Sequence, residues 1–193
     1  MKSKIHNALR KIAAQYNDLL GDLGDNTAKV TRNFVGQWEG RRVNDKGMHV
    51  AYPDVRGVTT IGYGMTDPKI IAKYPNGMPE KTAQRLFHNR LMASRDALSK
   101  WKNWDKLNPN QQASLISWHY NVGHGAADNS TLKKRVEGAE FDLVPEEMNR
   151  WVFANKKRIP GLVNRRAAEA TLYNKTWAVA KEPTHLANGA VLR

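Results

Sequence analysis

An α+β, predominantly helical fold is predicted from three features of this 193-residue chain. Apolar residues recur at helical spacing along most of its length. One stretch, between Arg41 and Gly64, changes instead to short β-type pieces separated by turn compositions. Asparagine or serine caps, prolines at first-turn positions and terminal glycines then mark helix starts and stops through the remainder. The predicted order is a helix, a small antiparallel sheet and a bundle of helices.

The first segment sets Ile5, Leu9, Ile12, Tyr16 and Leu19 on one helical stripe, with Lys2, Lys4, Arg10 and Lys11 largely on the other faces, until Gly21 and Gly24 stop it. Two readings are open: a helix packing its stripe on the domain, or a cationic amphipathic helix whose residues 2–20 contact anionic membrane. A second helix is predicted from Thr27 to Trp38 through Val30, Phe34 and Val35, closed by Gly40. The β pieces are Val50-Ala51-Tyr52 and Thr59-Thr60-Ile61, with turns at Asn44-Asp45-Lys46-Gly47 and Asp54-Val55-Arg56-Gly57.

Everything after Asp67 is predicted to be helical. Pro79-Glu80 opens a long helix carrying Ala83, Leu86, Phe87, Leu91, Ala97, Leu98 and Trp101, and Asn108-Pro109 opens another that Gly123 ends. Asn129 and Ser130 cap a helix with Leu132 and Val136 inward. Pro145-Glu146-Glu147 starts one bearing Met148, Trp151 and Val152, and Pro160-Gly161 precedes one through Ala167, Ala170, Leu172 and Tyr173. The expected organisation is an N-terminal amphipathic extension over 1–26, a catalytic domain over 27–181 and a flexible tail over 182–193.

Composition narrows the partner. Lys and Arg number 31 against 18 Asp and Glu, a net charge of +13, which points to nucleic acid, anionic membrane or bacterial cell wall. Without cysteine there are no disulfides or thiolate metal sites. No run approaches the apolar length of a transmembrane helix. The basic N-terminus is interrupted by Arg10, Lys11 and Asp18, so a soluble product without its own secretion signal is expected. Nucleic acid is disfavoured, because no base-reading motif or aromatic stacking platform is present. The six histidines show no metal-ligand spacing, and His119 and His124 read as capping or surface groups. Gly62-Tyr63-Gly64 lacks the third glycine of a dinucleotide loop. Lys133-Lys134-Arg135, Lys156-Lys157-Arg158 and Arg165-Arg166 are expected on solvated helix faces that steer the protein toward a polyanion. Of Trp118 and Tyr120 on one helix, Tyr120 is the one expected to face a cleft.

Glu39 and Asp54 carry the chemistry. Glu39, beside Trp38 at an expected helix end, is placed for partial desolvation, which keeps a carboxyl proton available. Asp54 lies in a turn rich in N–H groups that favour its ionised form, and Thr60 is near enough in a hairpin to help hold a water. Two carboxyl groups in unlike surroundings suit acid–base cleavage of a glycosidic bond. The competing reading makes Glu39 a solvated helix-end residue and Asp54 an Asx-turn former.

Glu39-Gly40, Ala51-Tyr52-Pro53-Asp54 and Gly57-Val58-Thr59-Thr60-Ile61-Gly62-Tyr63-Gly64 together resemble the catalytic signature of the phage-type lysozymes. A second block, Asn121-Val122-Gly123, Asn129-Ser130-Thr131-Leu132, Trp151-Val152 and Pro160-Gly161-Leu162-Val163-Asn164-Arg165-Arg166, resembles the same family's helical lobe. The resemblance runs from about Phe34 to Tyr173. It implies a lysozyme-like fold, with a small antiparallel β lobe and a larger helical lobe flanking a substrate cleft. It implies Glu39 as general acid, Asp54 as second carboxylate and Thr60 as water-positioning residue, with substrate contacts at Tyr120, Ser130, Asn149 and Thr66. The implied reaction is an inverting cleavage of the β-1,4 bond between N-acetylmuramic acid and N-acetylglucosamine in peptidoglycan. Such a reaction sets the carboxyl groups roughly 6.5–9.5 Å apart and needs no cofactor. The implied protein is a monomeric endolysin held in the host cytoplasm until the membrane is permeabilised, then acting in the periplasm.

This sequence departs from the family pattern in two places within the domain. Glu39 and Asp54 are separated more widely than usual, with Val43 to Met48 expected as a longer hairpin tip and Asp45 as the alternative second carboxylate. Met65 stands where relatives often carry histidine. A non-catalytic wall-binding or morphogenetic module on the same fold is the alternative to the enzyme.

Overall fold

The computed structural model describes residues 26–40, 42–54 and 57–177. The expected N-terminal helix, up to residue 25, and the tail 182–193 lie outside the described residues. Helix α1 (Asn26–Val35) leads into a small sheet of β1 (Tyr52–Pro53) and β2 (Thr59–Thr60), followed by α2 (Pro68–Lys73) and the long α3 (Glu80–Leu98). Helices α4 (Pro109–Val122), α5 (His124–Asp128), α6 (Thr131–Glu137) and α7 (Val144–Asn149) come next. A hairpin of β3 (Phe153–Ala154) and β4 (Lys157–Arg158) precedes α8 (Pro160–Asn174).

Helix α4 is the centre of the helical lobe. Asn108 and Gln111 form a reciprocal capping box and Pro109 supplies a preset first turn. Every residue from Ala113 to His119 is buried, so the helix is enclosed on all sides, and α1, α3 and α8 pack around it. The expected division of its aromatics holds: Trp118 is fully buried, whereas Tyr120 is half-buried. Thr27 on α1 donates to Gln112 Oε1 at 2.9 Å, tying the first helix to this centre.

Two apolar clusters correspond to two lobes. The larger contains Val35, Phe87, Leu91, Trp101, Trp118 and Met148 among others; the smaller contains Ile61, Met65, Met78 and Ala83. Helix α3 supplies Ala83 to the small cluster and Phe87, Leu91 and Leu98 to the large one, so one rigid rod joins the lobes. Tyr63 packs against both clusters. Met65 is a core residue, paired with Ile61 across a tight turn, which accounts for an apolar side chain at this position.

The small sheet is shorter than expected. Tyr52 pairs with Thr60 and Pro53 with Thr59, whereas Val50 and Ala51 lie outside the strands. The expected longer hairpin tip is present: Val43 bridges His49, and Asn44 Oδ1 accepts from the N–H groups of Lys46 and Met48.

Four other expectations require correction. Helix α1 ends at Val35, and Gly36 to Trp38 form a turn, so Glu39 stands beyond a turn and not at a helix terminus. Helix α7 stops at Asn149, leaving Trp151 and Val152 outside it. Residues 153–158, expected as helix, form an antiparallel hairpin, because Asn155 and Lys156 adopt positive φ of 49° and 62°, the geometry of a primed two-residue turn. In α8, of the apolar positions expected to mark the helix, Tyr173 is buried but Ala167, Ala170 and Leu172 are exposed or half-buried; Arg165, Arg166 and Glu169, expected on a solvated face or not singled out, are buried beside Tyr173.

His49, fully buried, lies 2.7 Å through Nε2 from Glu80 Oε2, and Tyr63 Oη donates to Glu80 Oε1 at 2.6 Å. Partial burial pushes the Glu80 carboxyl up. The hydrogen bonds from Tyr63, His49 and Gln84, with the nearby His49 charge, outweigh it and hold the group at about 2. A depressed carboxyl pKa stabilises the fold above its unfolded value, and that contribution is lost as pH falls toward about 2. Glu80→Gln is expected to lower stability at pH 7 by on the order of 1 kcal/mol, since the site is partly solvated. In thermal melts from pH 7 to pH 2 the gap between variant and parent should shrink; a gap constant across that range would refute the assignment.

Candidate active site

Glu39 sits where the two lobes meet. Its side chain is 12% exposed, and Oε1 accepts from Arg165 Nη1 of α8 at 3.0 Å. Its Oε2 faces the Gly-Tyr-Gly turn: a Cβ built on Gly64 would stand 2.8 Å from it and 3.8 Å from Tyr120 Oη. Gly64 also holds φ +74°, so this position requires glycine on both counts. Tyr120 Oη donates to the Tyr63 carbonyl at 2.6 Å. Burial first, then the Glu39 charge, raises the Tyr120 hydroxyl well above the ordinary tyrosine range, so it remains a donor. Arg90 Nη1 donates to the Gly64 carbonyl at 2.6 Å and its guanidinium lies 4.6 Å over the Tyr120 ring. The turn beside Glu39 is therefore held from two helices of the large lobe.

Asp54 terminates β1 in a tight turn. Its Oδ1 accepts from the Val58 N–H at 2.9 Å, and its backbone N–H and carbonyl bond Val58 and Gly57. Thr60, on β2, is buried, and Oγ1 donates to the Val58 carbonyl at 3.0 Å. Tyr52, opposite Thr60 in the sheet, links this group to Glu39. Its phenol is raised by burial and then by the charges of both Glu39 and Asp54, and a Cβ on Gly40 would lie 2.7 Å from its oxygen. The sheet thus brings both carboxyl groups into the electrostatic reach of one side chain. Asp45, the alternative, is exposed at the hairpin tip.

The other sequence-derived positions are more dispersed. Thr66 is exposed two residues beyond Gly64, and Asn149 is exposed at the end of α7. Ser130 is buried as the N-cap of α6: Oγ donates to the Ala127 carbonyl at 2.6 Å and accepts from the Lys133 N–H at 3.0 Å. Among the described residues, no hydrogen bond joins Ser130 or Asn149 to the Glu39 group.

The residues the sequence reading misassigned are the arginines of α8. Arg165 and Arg166 are 5% and 0% exposed, not solvated, and converge on the fully buried Glu169. Burial lowers Arg166 to about 10 and pushes the Glu169 carboxyl up against the pull of both arginines. The available signal was spacing, because Arg165 and Glu169 at i,i+4 share one helix face with Tyr173 four further on. His119 is likewise buried, its ring 5.7 Å from that of His124, which remains exposed.

Several known proteins are similar to this chain in sequence and in fold. The SAR-endolysin of Escherichia phage Mu is 30% identical over 133 residues, 65% of this chain and 71% of that protein. The endolysin of Bacillus phage B103 is 29% identical over 149 residues, 77% of this chain, and the chain spans 54% of that protein's length. A crystal structure of a phage P22 lysozyme variant superposes with a TM-score of 0.60 at 26% identity, covering 74% of this chain and 94% of the other. Residues 37–169, which include Glu39, Asp54, Thr60 and both buried arginines, match the phage lysozyme family. The chain accordingly belongs to the phage lysozyme family and is a glycoside hydrolase of the muramidase type.

Proposed function

We propose that the protein is an endolysin hydrolysing the β-1,4 bond between N-acetylmuramic acid and N-acetylglucosamine, and that this causes host cell lysis. The observation that supports the reading is Glu39 held by Arg165 Nη1 at 3.0 Å where the lobes meet, with Tyr52, whose phenol the charges of Glu39 and Asp54 raise after burial, opposite Thr60 in the adjoining sheet. Glu39 protonates the leaving glycosidic oxygen, and Asp54 with Thr60 directs a water at the opposite face of the sugar, an inverting displacement. Tyr120, Thr66, Ser130 and Asn149 are the proposed substrate contacts. The net charge of +13 concentrates the protein on the anionic wall, and electrostatic attraction of that kind weakens with salt. Its site of action is the periplasmic wall, reached once the membrane is permeabilised, and it works as a monomer without nucleic acid. Residues 2–20 remain a proposed anionic-membrane contact. Among the described residues, no helix is long and apolar enough to cross a membrane.

Mass spectrometry of digested peptidoglycan tests the reaction. Reducing muramic ends are expected. Anhydro-muramic ends would mean that the protein is a lytic transglycosylase, and absence of cleavage would favour a wall-binding module.

A further inference from the structure

The buried charges of α8 carry more than packing requires. Taking an ion from water into a protein interior costs several kcal/mol, and apolar replacements of similar volume often stabilise a fold as well. Here Arg165, Arg166 and Glu169 are nearly or wholly excluded from solvent, and Arg165 contacts Glu39 directly. The nitrogens of Arg165 are assigned separately. Nε donates to Glu169 Oε1 at 3.2 Å, Nη2 lies 3.3 Å from the Ser117 carbonyl and 3.4 Å from Ser117 Oγ, and Nη1 donates to Glu39 Oε1 at 3.0 Å. Glu169 Oε1 is itself fixed by Ser117 Oγ at 2.6 Å and Arg166 Nη2 at 3.1 Å. Arg166 Nη2 also reaches Asn121 Oδ1 at 3.0 Å.

We propose that Glu169 is a positioning residue that occupies Nε of Arg165 and so restricts its guanidinium to a single-nitrogen contact with Glu39. A guanidinium prefers to engage a carboxylate through two parallel donors. With Nε held by Glu169, only Nη1 reaches Glu39, and Oε2 stays turned toward Gly64 and the meeting of the lobes. Released from Glu169, Arg165 draws both Glu39 oxygens toward α8, away from the glycosidic oxygen. The inference rests on the reading of Glu39 as the acid.

Glu169→Gln tests it, because it removes the negative charge to which Arg165 Nε and Arg166 donate. Steady-state kinetics on soluble peptidoglycan fragments, below the variant's melting range, should show kcat reduced at least about tenfold with KM within about twofold. The groups facing Glu39 are Arg165 from α8, Tyr120 from α4 and Tyr52 from β1. Removing the Glu169 charge leaves Arg165 less balanced, so the basic limb of the kcat profile should move to lower pH. Unchanged kcat and an unmoved limb, or a loss matching only the unfolded fraction, would overturn the proposal. If Glu169→Gln does not fold, Ser117→Ala removes the hydroxyl that fixes Glu169 Oε1. That variant should lower kcat by about threefold with KM within about twofold, and an unchanged kcat overturns the proposal equally. Glu39→Gln separates the two readings. Turnover retained in that variant defeats Glu39 as acid, whereas its loss beside a normal Glu169→Gln defeats the role of Glu169 alone.

Discussion

Glu39→Gln is expected to abolish clearing of outer-membrane-stripped cells while leaving the protein folded. The amide retains an oxygen that accepts from Arg165 Nη1, so the local contact between α8 and the Glu39 turn survives. What disappears is the transferable proton. A positioned general acid contributes on the order of 10²–10⁴ in rate, and turbidity assays should therefore show a loss of at least about 10² with a melting temperature within a few degrees of the parent. A variant that folds normally and still clears cells at a comparable rate would remove Glu39 from the chemistry.

Asp54→Asn carries the second large effect. Asparagine Oδ1 still accepts from the Val58 N–H, so the turn persists, but the group can no longer draw a proton from water. The expected loss is about 10³ or more in kcat, the scale seen when an essential catalytic group is removed. Asp45→Asn should leave activity unchanged, because Asp45 is exposed in the tip that Asn44 organises. The reverse pattern, an inactive Asp45→Asn beside an active Asp54→Asn, would place the second carboxylate in that tip.

The helix starts were legible because their signals are local. Asn108 with Gln111 and Ser130 with the Lys133 N–H satisfy donors within a few residues of the cap. The β segment was legible for the same reason: Tyr52, Asp54, Thr60 and Gly64 lie within one short hairpin and its following turn. The hairpin after α7 was missed because its signal, left-handed backbone at Asn155 and Lys156, lacks the glycine that usually announces it.

By itself, the sequence determined the helix-sheet-helix order, the hairpin that carries Asp54 and Thr60, and the family, all of which rest on neighbouring residues. Only the tertiary structure decided what covers Glu39 and which face of α8 turns inward. Composition predicts a charged pair such as Arg165-Arg166 to be solvated, since an unpaired buried ion is too costly. Glu169 removes that penalty one turn away, but the remaining partners, Ser117 and Glu39, lie 48 and 126 residues distant. No local pattern encodes such contacts, and they arise when α4 and α8 close over the turn that follows α1.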